Sequence, residues 1–192
     1  MSFFHNLLVK TVQIMPSRVV WYFSKNYIAG NTIDDAIKKV KELNSKGILA
    51  TLDVLGESIH NEDEAIAAKK EAFSVLEAIH NHRLNANLSI KPTQLGLSIN
   101  EDFAFKQIRE LVQKANEINN FIRIDMEDSP YTDKTINLYK KIFQEFKNVG
   151  IVLQAYLKRT YDDAVILNKL GTNYRLCKGI YIESPSIAYK DK

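Results

Sequence analysis

The sequence predicts an α/β protein of the (β/α)8, TIM-barrel type, entered through N-terminal helices and stopping after the fifth barrel strand. Three observations predict it. From residue 48 onward, short β-rich apolar segments alternate with amphipathic helical ones, the pattern of a parallel sheet with crossover helices. The strands start near residues 48, 87, 121, 151 and 174, so 126 residues over four units give a mean of about 31.5. An eight-unit barrel of ~250 residues uses ~31 per unit. Each strand also carries a polar or charged side chain near its C-terminal end, where such barrels build their sites. The competing class is an open doubly wound sheet, which usually has a glycine-rich phosphate loop after its first strand. Here "LGESIHNEDE" follows, without such a loop.

The elements follow in order. Residues 3–29 read as two helices, with Pro16 tolerated at the start of the second and Gly30 at its end. The opening "MSFFHNLLVKTVQIMP" has no basic segment before its apolar stretch, and Lys10 interrupts that stretch. It reads as a helix and not as a secretion signal. Residues 33–46 form the clearest helix, with Ile33, Ala36, Ile37, Val40 and Leu43 on one side. Thr32 and Asp35 resemble a capping box, and Gly47 suits a left-handed C-terminal cap. Residues 1–47 are therefore expected as a helical region and 48–192 as a partial barrel.

"ILATLDVLG" is the first strand, and "EDEAIAAKKEAFSVLEAIHNH" a helix with Ile66, Phe73, Leu76 and Ile79 inward. "NLSIKPTQLG" is the second strand, followed by a helix with Ile108, Leu111, Val112 and Ala115 inward. "FIRID" is the third, and its helix turns Ile136, Tyr139, Phe143 and Phe146 inward. "IVLQAYL" is the fourth. The helix "YDDAVILNKL" has Thr160 and Asp163 as a second capping-box-like pair and Gly171 beyond its end. "YRLCKGIYI" is the fifth strand.

Composition excludes several function classes. The 192 residues are 45% hydrophobic and 26% charged, as in an ordinary soluble domain. With 26 basic and 23 acidic residues the net charge is +3, too balanced to argue for nucleic acid. No apolar run approaches the ~20 residues that cross a bilayer. Cys177 is the single cysteine, which excludes an internal disulfide and suits a reducing, cytoplasmic compartment.

The strand ends carry Asp53 and Glu57, then Lys91, then Asp125 and Glu127, then Gln154, then Arg175 and Lys178. Three carboxylates crowd "FIRIDMEDSP", and burying a charge is costly unless it is paired. A rim position resolves the difficulty. Asp53 and Arg123 are the members best suited to a structural ion pair, and Asp128 to a helix cap. His80 and His82 are two residues apart and share no helix face, so no metal site is expected. Cys177 reads as a packed strand cysteine, and the lysine runs as solvated helix faces. Lys178 leaves open a barrel lyase that forms a Schiff base.

These motifs resemble a known family. "RIDME", "LQAYLKRT" and "YRLCKGIY" are similar to the third, fourth and fifth strands of the flavin-dependent proline dehydrogenases. "TLDVLGE" and "SIKPTQLG" resemble that family's first two strands, and "YIAG" its N-terminal helical region. The resemblance implies FAD-dependent oxidation of L-proline to 1-pyrroline-5-carboxylate, with electrons passed to a membrane quinone through a peripheral contact at the inner face. It implies that Lys91 contacts the proline carboxylate and that Tyr181 lies near the substrate. Asp125 and Arg175 match active-site positions. Met126, Gln154, Lys178, Gly179 and Ile180 match FAD contacts, and Glu57 matches a residue that pairs with a C-terminal arginine. No dedicated base stands out. Only 145 residues run from Ile48 to Lys192, so the expectation is an N-terminal portion of such an enzyme. The rest of the family's barrel adds FAD contacts and two arginines that clamp the carboxylate. The alternative is a catalytically inactive partial barrel that serves as an interaction module.

Overall fold

Five parallel strands pair in the order β1-β2-β3-β4-β5. They are β1 (Ala50–Asp53), β2 (Ala86–Ile90), β3 (Ile122–Ile124), β4 (Val149–Gln154) and β5 (Tyr174–Cys177). Each strand therefore lies beside the one before it in the chain. A doubly wound sheet reverses its order at a switch point; this one does not, and it curls as the first part of a barrel. The computed structural model describes residues 19, 29–30, 32–56 and 59–190. The helices expected over residues 3–29 lie almost wholly outside these, and so does Glu57.

The helices are α1 (Ile33–Ser45), α2 (Glu62–Asn81), α3 (Glu101–Glu117), α4 (Thr132–Glu145) and α5 (Thr160–Asn168). α1 begins as expected: Thr32 Oγ1 accepts from the Asp35 amide at 3.2 Å and donates to the Asp35 carboxylate at 2.8 Å. Asn61 and Asn100 cap α2 and α3 by accepting from the third amide beyond. The chain leaves α1 through Gly47 at φ +73°, a left-handed turn suited to glycine.

Strand register sorts the sheet into two faces. Leu52, Leu88, Ile122 and Val149 are successive partners in one row, and Ile90, Ile124 and Ile151 in another. All of these but Leu52, which packs against the smaller core described below, join Leu76, Ile108, Leu111, Tyr139 and Ile142 from the helices in the main core. Side chains alternate along a strand, so Asp53, Ser89, Arg123 and Gly150 form a row on the opposite, inner face. A second, smaller core packs Ile37 and Val40 of α1 against Ile79 and Leu84.

Some inward residues differ from expectation. α2 buries Ala65, Ala72, Leu76 and Ile79, leaving Ile66 and Phe73 half-buried one position round the helix. Ile33 is 40% exposed at the first turn of α1. Thr160 and Asp163 do not form a capping box. Thr160 Oγ1 donates to the Gln154 carbonyl at 2.6 Å, while the Asp163 carboxylate is held by Arg159 Nε at 2.7 Å.

Candidate active site

The C-terminal ends of the strands open onto a cavity of about 280 Å³. β2 delivers Lys91, and the turn after β3 delivers Asp125, Met126 and Glu127. Val152 and Gln154 line it from β4, and Arg175 and Cys177 from β5. Gly179, Ile180 and Tyr181 close one side. Of the catalytic, substrate and cofactor residues expected from the sequence, all but Lys178 line this cavity; Asp53 lies beside it and Glu57 outside the described residues. The Lys178 side chain is exposed, and its backbone carbonyl accepts from the Tyr156 amide at 3.1 Å. Its place outside the cavity removes the geometric ground for a Schiff-base lyase.

Charge is arranged in pairs. Lys91 Nζ is bonded to the Asp53 carboxylate. Arg175 donates to Asp125 Oδ1 at 3.0 Å, and Ser89 Oγ donates to the same oxygen at 2.7 Å. Ser89 lies two residues before Lys91, hence on the same strand face. Sequence reasoning passed over it, although a serine in an apolar strand, in step with a lysine, is a readable signal. Burial raises the Asp53 carboxyl above its ordinary value, outweighing the Lys91 ammonium that lowers it; Asp125 adds to the rise.

Two buried glutamates tie the loops at this end together by the same device. Glu127 accepts from the Thr93 amide at 2.8 Å and from the Thr93 hydroxyl at 2.5 Å. Glu183 accepts from the Ser129 amide and hydroxyl, both at 2.7 Å. Thr93 and Ser129 each open a short 3-10 turn, after β2 and β3 respectively. Burial raises the Glu127 carboxyl above the usual range, against the lowering effect of the two Thr93 bonds. The segment after β5 is also stitched to the β4–α5 connection. Lys158 donates its amide to Ile187 at 2.9 Å, Tyr189 to Tyr156 at 2.8 Å, and the Tyr156 hydroxyl bonds the Tyr181 carbonyl at 3.1 Å.

Arg123 is a structural residue, but not through the ion pair expected of it. Its guanidinium donates to the Asn173 carbonyl at 3.2 Å, to Asn173 Oδ1 at 2.8 Å and to the Ile151 carbonyl at 3.3 Å. It also lies over the Phe121 ring at 4.9 Å from the centroid. A side chain at Gly150 would collide with it, a Cβ there lying 2.4 Å from Arg123 Nη1. Asp128 caps the 3-10 turn by position only, without a side-chain bond.

The donor set suits a flat ring system with an N–H edge. Gln154 Nε2 donates to the Met126 carbonyl at 3.0 Å, which fixes the amide plane, while Gln154 Oε1 is buried without a partner among the described residues. An unpaired buried acceptor favours an N–H donor. Val152 and Met126 supply apolar surface beside it. Among the described residues no group of three or more His, Cys, Asp or Glu side chains is placed to hold a metal ion, and no helix is long and apolar enough to cross a membrane.

Known proteins match this chain over most of its length. The family model for proline dehydrogenase covers residues 36–190. "Proline dehydrogenase 1" of Bacillus subtilis (strain 168) is 39% identical over 169 residues, which are 88% of this chain and 56% of that protein. "Proline dehydrogenase" of Deinococcus radiodurans is 33% identical over 94% of this chain and 60% of its own length. The chain thus spans a little over half the length of the curated relatives it matches. The crystal structure of proline utilization A from Bdellovibrio bacteriovorus, inactivated by N-propargylglycine, superposes with a TM-score of 0.75. It is 22% identical, covering 92% of this chain and 22% of that one, a likeness of fold.

Proposed function

Because the chain belongs to the proline dehydrogenase family, we propose that its rim cavity takes part in the FAD-dependent oxidation of L-proline to 1-pyrroline-5-carboxylate, with electrons passed on to a membrane quinone. The observation that carries this reading is the convergence of Lys91, Asp125, Gln154, Arg175 and Tyr181 on one cavity at the C-terminal strand ends. Bound FAD supplies the hydride acceptor.

The chain's own residues bind and orient. The Lys91 ammonium has three N–H donors, so it can take a substrate carboxylate oxygen by a charge-assisted bond while still facing Asp53. Asp125, held by Ser89 and Arg175, keeps the guanidinium over the cavity. There its fixed positive charge favours electron density gathering on a flavin ring. Gln154 Oε1 would accept from the ring's imide N–H, with Met126, Gly179 and Ile180 walling the ring and Tyr181 bounding the substrate side.

The test is a visible absorption spectrum of the chain purified with FAD, followed by addition of proline without oxygen. Flavin that stays with the protein and bleaches with proline supports the reading. A soluble, folded chain that retains no flavin overturns it for these residues and favours the non-catalytic alternative.

A further inference from the structure

We propose that Cys177 is a thiol modification site guarded by the cofactor seat: a small disulfide reacts with it while no ring covers it, and the resulting adduct and a flat ring at Gln154 exclude each other. The proposal rests on the reading of the cavity as a flavin site. Two independent observations carry it. The first is register. β4 and β5 pair with Val152 opposite Arg175 and Gln154 opposite Cys177. All four line the same cavity. Neighbouring strands lie ~4.8 Å apart, so the Gln154 and Cys177 side chains rise from the sheet side by side. Leu176, between Arg175 and Cys177, is turned outward and 59% exposed, which leaves the thiol on the cavity face. The pairing persists past the strand end, where the Ala155 amide donates to the Cys177 carbonyl at 2.7 Å.

The second observation is the unanswered acceptor of Gln154. The side chain is 3% exposed, and its Oε1 has no partner among the described residues. Its Nε2 is taken up by the Met126 carbonyl, on the β3 side. The sheet neighbour on the other side is Cys177. A ring that donates an N–H to Oε1 therefore comes to rest against the Cys177 thiol. Cys177 is half-buried and in no disulfide, so a reagent entering the cavity meets it.

The chemistry balances. The Cys177 thiolate attacks one sulfur of a low-molecular-weight disulfide such as glutathione disulfide. A bond forms between Cys177 Sγ and that sulfur, and the original S–S bond breaks. The other half leaves as a thiolate and takes up the proton that Cys177 gave up. Cys177 is oxidised and the departing half is reduced. A cavity of about 280 Å³ lies just below the ~300–1,000 Å³ of ordinary ligand pockets and has no room for a ring and a tripeptide together. A dithiol reverses the step, so cofactor loading follows the thiol–disulfide balance around the protein.

Cys177 is the single cysteine, so intact mass counts adducts at this residue alone. The chain is treated with glutathione disulfide with and without FAD, and flavin affinity is then measured. At FAD about ten times its Kd, mass action leaves about one cavity in eleven open, so adduct formation is expected to slow about tenfold. The adduct is expected to bind FAD about tenfold more weakly or worse, and dithiothreitol to restore the affinity. In Cys177→Ala the Kd for FAD is expected to be the same with and without the reagent. Equal adduct rates with and without bound FAD, or an adduct that binds FAD as the untreated chain does, overturn the proposal and leave the cavity reading standing. A folded chain that forms no adduct, or one that loses its circular dichroism on modification, overturns it as well, because the thiol then only packs the core. An untreated chain that binds no flavin overturns the proposal and the cavity reading together.

Discussion

Single residues in this cavity are held for different reasons, and substitution separates them. Lys91 is a cation at the end of β2, and exchange for methionine keeps the stem while removing the charge. A hydrogen bond to a charged group is worth ~1.5–3 kcal/mol, so Lys91→Met is expected to raise the KM for proline about ten- to a hundredfold, measured by steady-state kinetics of the flavin-loaded protein. Gly179 is held by its backbone. Its φ is +100°, and a Cβ would lie 2.1 Å from the Tyr156 ring. Gly179 lines the cavity, and its missing side chain also leaves room for Tyr156. Gly179→Ala is expected to lower stability by ~1–3 kcal/mol, read from the denaturant midpoint, and a Tyr156→Ala background should recover part of the loss. Lys91, Asp125 and Arg175 were legible as charges at strand ends. Gln154 was legible in the same way, whereas Ser89 was passed over, because its part is set by the Asp125 carboxylate it meets across the sheet.

Strands and helices were the most legible level. Starts expected near 48, 87, 121, 151 and 174 fall at 50, 86, 122, 149 and 174, because β-branched runs between helical stripes mark them from local chemistry. Errors lie where packing between elements decides: the one-position rotation of α2, and Asp163 answering Arg159 in place of a cap. The glutamate clamps between loops were invisible for the same reason, since they join residues 34 and 54 apart. The Glu127 clamp carries a pH dependence. Its folded value is raised above 4.5. A raised carboxyl contributes stability that is present below the ordinary value and lost as pH climbs through the raised one. Glu127→Gln cannot ionise, so its stability relative to wild type should improve from about pH 4 towards neutrality. Denaturant midpoints measured across that range test the slope, and a constant difference would show that Glu127 titrates normally.

Across the whole molecule the sheet has a free edge at β1 and another at β5 among the described residues. Apolar side chains gather beside them: Leu176 is 59% exposed, Ile180 86% and Ile182 82%, with Leu49 70% and Leu55 76% at the other end. Unpaired edges with apolar faces invite association. Light scattering of the 192-residue chain is expected to rise with concentration and to fall in Leu176→Lys, which places a charge on the outer face of β5. Strand order has a further consequence, for how the chain reaches this shape. Every strand pairs with the one made just before it, so each new β-α unit leaving the ribosome finds its docking edge already present. Contacts close over one unit at a time, so no strand waits for a partner more than one unit away. The sheet can therefore grow vectorially during synthesis, in the order in which it is translated.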